Sequence, residues 1–132
     1  MNYIEIILDH ERSKEERTQA AFHLAGRQDE NALEALIKAV LTDPSCIVRH
    51  ECAFVLGDKR KPYLGKYLAK TVKEDSSNIV IHEELSAFGT LGDPSYILLI
   101  RESINYPDVI VSETAEMAIE RIEKYKGGKT FQ

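Results

Sequence analysis

Two His-Glu pairs, His50-Glu51 and His82-Glu83, stand 32 residues apart in this chain of 132. Imidazole nitrogens and carboxylate oxygens bind first-row transition metals at about 2.0–2.2 Å. Two histidines and one carboxylate that leave coordination positions open form the donor set of non-haem Fe(II) oxygen chemistry. On that reading His50, His82 and Glu83 are the metal ligands. Glu51, the candidate catalytic residue, is either a fourth ligand or a group that orients one of the histidines. A lone His-Glu dipeptide carries no such meaning, because both residues are common on solvated helix faces and an acid near a helix start is favoured by the dipole. What gives the pairs weight is their repetition in one register.

That register extends well beyond the pairs. The run Val48-Arg49-His50-Glu51-Cys52-Ala53-Phe54-Val55-Leu56-Gly57 recurs as Val80-Ile81-His82-Glu83-Glu84-Leu85-Ser86-Ala87-Phe88-Gly89. A weaker copy over residues 16–25 keeps Arg17, Ala21, Phe22 and Leu24 but not His-Glu, and another follows from Val111 to Ile119. Four copies of a unit of about 32 residues account for almost the whole chain, the mark of a repeat architecture.

Each unit reads as helical. Ser13-Lys14-Glu15-Glu16 is a capping-box pattern opening a helix towards Ala25. Asp29 precedes Leu33, Leu36, Ile37, Val40 and Leu41 at helical spacing. Pro44, Pro62 and Pro94 fall where helices begin, and Asp93 precedes the last of them. Gly57 and Gly89 are expected to end their helices in the left-handed conformation. Tyr106-Pro107-Asp108 breaks the chain before a final helix over about 109–125, closed by Gly127-Gly128. No stretch alternates with period two for long enough to make a sheet. The expectation is all-α: an α-solenoid of about four helix pairs forming a single domain over 1–132. The second helices of successive pairs then form a ladder of parallel neighbours about 8–10 Å apart. His50 and His82 would face each other across that gap and share one ion.

Bulk composition narrows the function classes. A net charge of −5 argues against a phosphate-neutralising surface, and so against a nucleic-acid partner. No apolar run exceeds the five residues from Tyr96 to Ile100, which argues against a membrane span. The N-terminal residues lack the pattern of a secretory signal. Cys46 and Cys52, without Cys-x-x-Cys spacing, read as reduced thiols in a cytoplasmic protein. His10 and His23 lie off the ladder, His10 reading as surface and His23 as a packing or surface residue, while Tyr63, Tyr67 and Tyr96 on the first helices of the pairs read as packing. Glu113 and Glu116 read as solvated. Glu51, Glu83 and Glu84 together would make an acidic patch that attracts a polycation. There is no glycine-rich phosphate loop and no Ser-His-Asp pattern.

The two long copies, continued through Thr90-Leu91-Gly92-Asp93-Pro94, together with Val111-Ser112-Glu113-Thr114-Ala115 and Ala118-Ile119-Glu120-Arg121-Ile122-Glu123, resemble the deoxyhypusine hydroxylase family over residues 16 to 125. That family is built of HEAT-like repeats, the type also seen in phycobilisome lyase subunits. The resemblance implies a non-haem di-iron monooxygenase, which uses O2 to hydroxylate a deoxyhypusine side chain on a translation factor. The matching positions are His50, Glu51, His82 and Glu83. The family uses four His-Glu pairs in two pseudo-symmetric halves, whereas this sequence has two pairs and the length of one half. The implied assembly is therefore a homodimer with the iron pair between its copies. The rival expectation is a non-enzymatic HEAT-like adaptor that binds proteins on its surface.

Overall fold

The structure, a computed structural model, describes residues 1–127, with side chains through Lys124; the expected closing Gly128 lies outside the described residues. Among the described residues eight α-helices follow one another: α1 (Tyr3–Leu8), α2 (Lys14–Ala25), α3 (Glu30–Thr42), α4 (Cys46–Lys59), α5 (Gly65–Glu74), α6 (Asn78–Leu91), α7 (Ile97–Arg101) and α8 (Val109–Gly127). Short 3₁₀ turns at Pro62–Leu64 and Pro94–Tyr96 lead into α5 and α7, and a third at Glu102–Asn105 follows α7. There is no strand among the described residues. Consecutive helices pack as four pairs, and α2, α4, α6 and α8 stack on one another in one continuous layer. This is the all-α solenoid of about four helix pairs.

The local chemistry explains the boundaries. The Ser13 hydroxyl accepts from the Glu16 amide at 3.1 Å while the Glu16 carboxylate accepts from the Ser13 amide at 3.2 Å, closing the capping box reciprocally. Asp29 caps α3 by accepting from the Ala32 amide. Asp93 accepts from the Ser95 amide at 2.9 Å at the turn that Pro94 opens. Between the layers lie two buried apolar clusters, one around Ile7, Leu24, Leu36 and Leu56 and the other around Leu68, Leu85, Phe88, Ile100 and Ile122.

Two interactions recur with the repeat. The first is a bidentate clamp between a ladder helix and the loop that ends the next outer helix. Arg17 donates to both Asp43 oxygens at 2.8 and 3.0 Å, and Arg49 to both Asp75 oxygens at 2.9 and 3.1 Å. Each aspartate also accepts from a backbone amide, Ser45 or Ser77, at 2.9 Å. Asp43 is fully buried, so its charge is tolerated only because its lone pairs are filled in this way. Position 81, where a third arginine would fall, is Ile81, a core residue.

The second is a seam of small residues, and it corrects the expectation for Gly57 and Gly89. Neither ends a helix. Both are buried inside α4 and α6, and the left-handed caps come three residues later, at Arg60 (φ 57°) and Gly92 (φ 71°). A Cβ on Gly57 would lie 2.7 Å from the Ala87 Cβ, and one on Gly89 would lie 3.3 Å from the Ala118 Cα. The glycines are there because the neighbouring ladder helix is there. Tyr63 also departs from expectation: 47% exposed, it packs little, whereas Tyr96 lies against Phe88 at 4.7 Å between ring centroids.

Gly57→Ala should therefore lower stability by about 1–3 kcal/mol through overpacking. Arg60→Gly, which relieves a side chain in the left-handed region, should raise it by about 1 kcal/mol. Chemical denaturation reads both, and a neutral Gly57→Ala would contradict the seam.

Candidate functional site

Clamped by Arg49 at its first turn and seated on Ala87 at Gly57, α4 has one allowed rotation against α6. That rotation brings His50 Nε2 to 3.2 Å from Glu83 Oε1, with the histidine side chain 33% exposed and the glutamate 18%. One helix further on the same offset recurs: His82 Nδ1 lies 2.7 Å from Thr114 Oγ1. Each histidine thus meets the residue one place beyond its own equivalent on the next ladder helix. The contact of each histidine is thus shifted by one position from the strict ladder.

Two metal bonds of about 2.1 Å at right angles place their donor atoms about 3.0 Å apart. His50 Nε2 and Glu83 Oε1 stand close to that separation, so the donor set and spacing of this pair fit adjacent ligands of one ion. The two side chains stand within ion-pair distance of each other without metal. Among the described residues no three His, Cys, Asp or Glu side chains converge on a common point. Glu51 is half-buried beside the pair; burial lifts its carboxyl above the ordinary value, the His50 imidazole opposes this, and the Glu83 charge adds to it.

Two rows of exposed apolar side chains flank these polar positions. Three residues before each histidine position stand Ile47, Ile79 and Ile110, and four residues after it stand Phe22, Phe54 and Met117, all 43–62% exposed. Between α4 and α6 a groove of about 200 Å³ is lined by Phe54, Asp58, Arg60, Glu83 and Thr90. Between α6 and α8 a smaller one of about 120 Å³ is lined by His82, Ser86, Thr114, Met117 and Arg121.

Glu84 does not belong to an acidic patch with Glu51 and Glu83. It shares the core row of Cys52 and Ala115, is fully buried, and neither carboxylate oxygen has a hydrogen-bond partner. Burial pushes its pKa up to about 8; the nearby Thr71 hydroxyl and Arg49 oppose this, and Asp75 adds to it. The Thr71 hydroxyl already bonds to the Tyr67 and Leu68 carbonyls. His23 stacks on Tyr3 at 4.0 Å, and His10 is half-exposed, 4.0 Å from Asp43. Glu113 and Glu116 are exposed. Cys46 and Cys52 are free thiols, and burial raises the Cys52 pKa. Sequence reasoning missed Thr114, whose only signal is that it occupies, in the last repeat, the place that Glu83 holds in the third.

Fold and site together define the class, a solenoid of HEAT-like repeats with polar pairs along one helical layer. The profile of the PBS lyase HEAT-like repeat matches residues 16–42. Deoxyhypusine hydroxylase-B of Oryza sativa subsp. japonica is 33% identical over 129 residues, covering 97% of this chain and 42% of that protein. Deoxyhypusine hydroxylase of Mus musculus is 33% identical over 132 residues with the same coverages. The structure of human deoxyhypusine hydroxylase in complex with glycerol superposes with a TM-score of 0.84 at 26% identity, over 96% of this chain and 44% of that one. The chain is thus a HEAT-like repeat protein similar over nearly its whole length to part of these hydroxylases, and it spans a little over two fifths of the length of the relatives it matches.

The buried Glu84 carboxyl makes stability pH-dependent in a definite direction. Its folded pKa of about 8 lies above the ordinary 4.5, so between those values the folded protein holds a proton that the unfolded chain has released. Stability is then greatest below the lower value, declines as pH rises between the two, and levels off above the upper one. Glu84→Gln should flatten that slope in denaturation curves taken across the range. A slope that persists in the variant would assign it to another group.

Proposed function

We propose that this chain is an iron-binding half-unit of an O2-dependent hydroxylase of the deoxyhypusine hydroxylase type, with two copies completing a di-iron centre between them. The observation that carries the reading is the approach of His50 to Glu83 at 3.2 Å, a ligand-like spacing at the positions the resemblance singles out. His50, His82 and Glu83 would hold the metal, with Glu51 as a further ligand or orienting group. Iron bound there would supply O2 activation for insertion into a C–H bond.

The chain's own residues do the rest. The Arg49–Asp75 clamp and the Gly57–Ala87 contact fix His50 against Glu83. Glu51 and Glu83 present negative charge to a polycationic side chain such as deoxyhypusine on a translation factor. Glu51, the candidate catalytic residue, stands beside the pair with its carboxyl raised above the ordinary value by burial. The exposed rows at Ile47, Ile79, Ile110, Phe22, Phe54 and Met117 offer apolar surface on both sides of the polar positions. A second copy laid against them would cover that surface and exclude water from the metal.

The same apolar rows support one other reading, a non-enzymatic HEAT-like adaptor whose polar pairs only position the helices.

Anaerobic Fe(II) titration coupled to mass measurement separates the two. The hydroxylase reading expects about one iron per chain and a complex of twice the chain's mass. His82→Ala should abolish uptake while helicity by circular dichroism stays unchanged. Protein that remains folded, monomeric and indifferent to Fe(II) would establish the adaptor reading instead.

A further inference from the structure

The last ladder helix lacks the His-Glu pair, yet it makes a contact to the pair before it that settles a question of proton placement. Thr114 Oγ1 lies 2.6 Å from the Ile110 carbonyl oxygen, four residues back on α8, and 2.7 Å from His82 Nδ1. A hydroxyl carries one proton, and a carbonyl oxygen can only accept. With the hydroxyl proton directed to Ile110, Thr114 has lone pairs alone to offer the imidazole. The nitrogen facing it must then carry the hydrogen. From this geometry we infer that Thr114 is a positioning residue that holds neutral His82 as the Nδ1–H tautomer, leaving Nε2 as an unprotonated donor.

The repeat supports this division of roles. Glu83 and Thr114 occupy equivalent positions on α6 and α8, and each receives the histidine of the preceding helix. A carboxylate there can serve as a ligand beside His50. A threonine hydroxyl bonded to its own helix is a poor ligand and a good anchor. The backbone bond also fixes the threonine rotamer, since a hydroxyl reaching the carbonyl four residues back is one of the few allowed arrangements for a β-branched residue in a helix. His82 lines the groove of about 120 Å³ between α6 and α8 with Thr114, so a small reorientation of the ring has room to occur unless something holds it. Hydrogen bonding at one ring nitrogen is what selects the donor at the other.

The consequence for iron rests on the proposed function, but the tautomer does not, and the two are tested apart. Nitrogen-15 NMR of histidine-labelled, metal-free protein at about pH 8, above the ordinary imidazole pKa of about 6.5, reads the tautomer directly. The wild type and Thr114→Ser should show His82 protonated at Nδ1. Thr114→Val, which keeps the shape and removes the hydroxyl, should shift it to Nε2–H or to a mixture. Nε2 protonation in the wild type, or an unchanged tautomer in Thr114→Val, overturns the inference. Anaerobic Fe(II) titration of the same proteins should show affinity weakened by about 10- to 100-fold in Thr114→Val and restored in Thr114→Ser. Equal affinity in all three overturns the role of Thr114 in preparing a ligand. A locked tautomer in a protein that takes up no iron instead overturns the metal reading and leaves the tautomer assignment standing.

Discussion

The close approach of the ladder helices is the constraint on which the rest depends. Where Gly57 meets Ala87 there is no space for a Cβ, and at Gly89 one would be crowded against Ala118. Interaxial distance in helix packing follows the size of the side chains at the contact, and here that size is near its minimum. Short side chains on the neighbouring polar positions can therefore touch across the gap. His50 reaches Glu83 and His82 reaches Thr114 directly; bulkier seams would leave solvent between them.

Close approach sets distance, and the arginine clamps set rotation. Arg17 and Arg49 each grip an aspartate in the loop that leads into the next ladder helix, with Nε and Nη2 both donating to its carboxylate. Such a grip tolerates little twist. Because Arg49 immediately precedes His50, turning α4 to loosen the clamp would carry the imidazole away from Glu83. Ile81 replaces the clamp in the third unit, where the core around Leu85 and Phe88 takes over. The fold thus divides its labour: buried ion pairs orient the first units, and apolar packing with the glycine seam orients the last.

Much of this was legible in the sequence. Repetition at 32 residues gave the solenoid and the ladder positions, because a repeated unit must stack on its own kind. Capping residues gave the helix starts, since Ser13, Asp29 and Asp93 act through local bonds that need no knowledge of the rest of the chain. The glycines were misread because a glycine near the end of a helical pattern serves equally as a terminator or as a point of contact, and only the neighbouring helix decides between them. Glu84 was misplaced because a carboxylate beside Glu83 reads as surface, while the helical period puts it in line with Cys52 and Ala115. The one-place offset between His50 and Glu83 depends on how one helix sits against its neighbour, which the repeat pattern alone does not encode.

Half of a hydroxylase and a small scaffold protein would share every feature of the fold described above, so the distinction rests on what the paired side chains hold. Iron-edge X-ray absorption on the loaded protein addresses that directly. The account predicts imidazole scattering in the first coordination sphere together with a metal–metal vector of about 3.5–4 Å, the first from His50 and His82 and the second from a facing copy. A sphere of oxygen atoms alone, with no imidazole and no second metal, would contradict it.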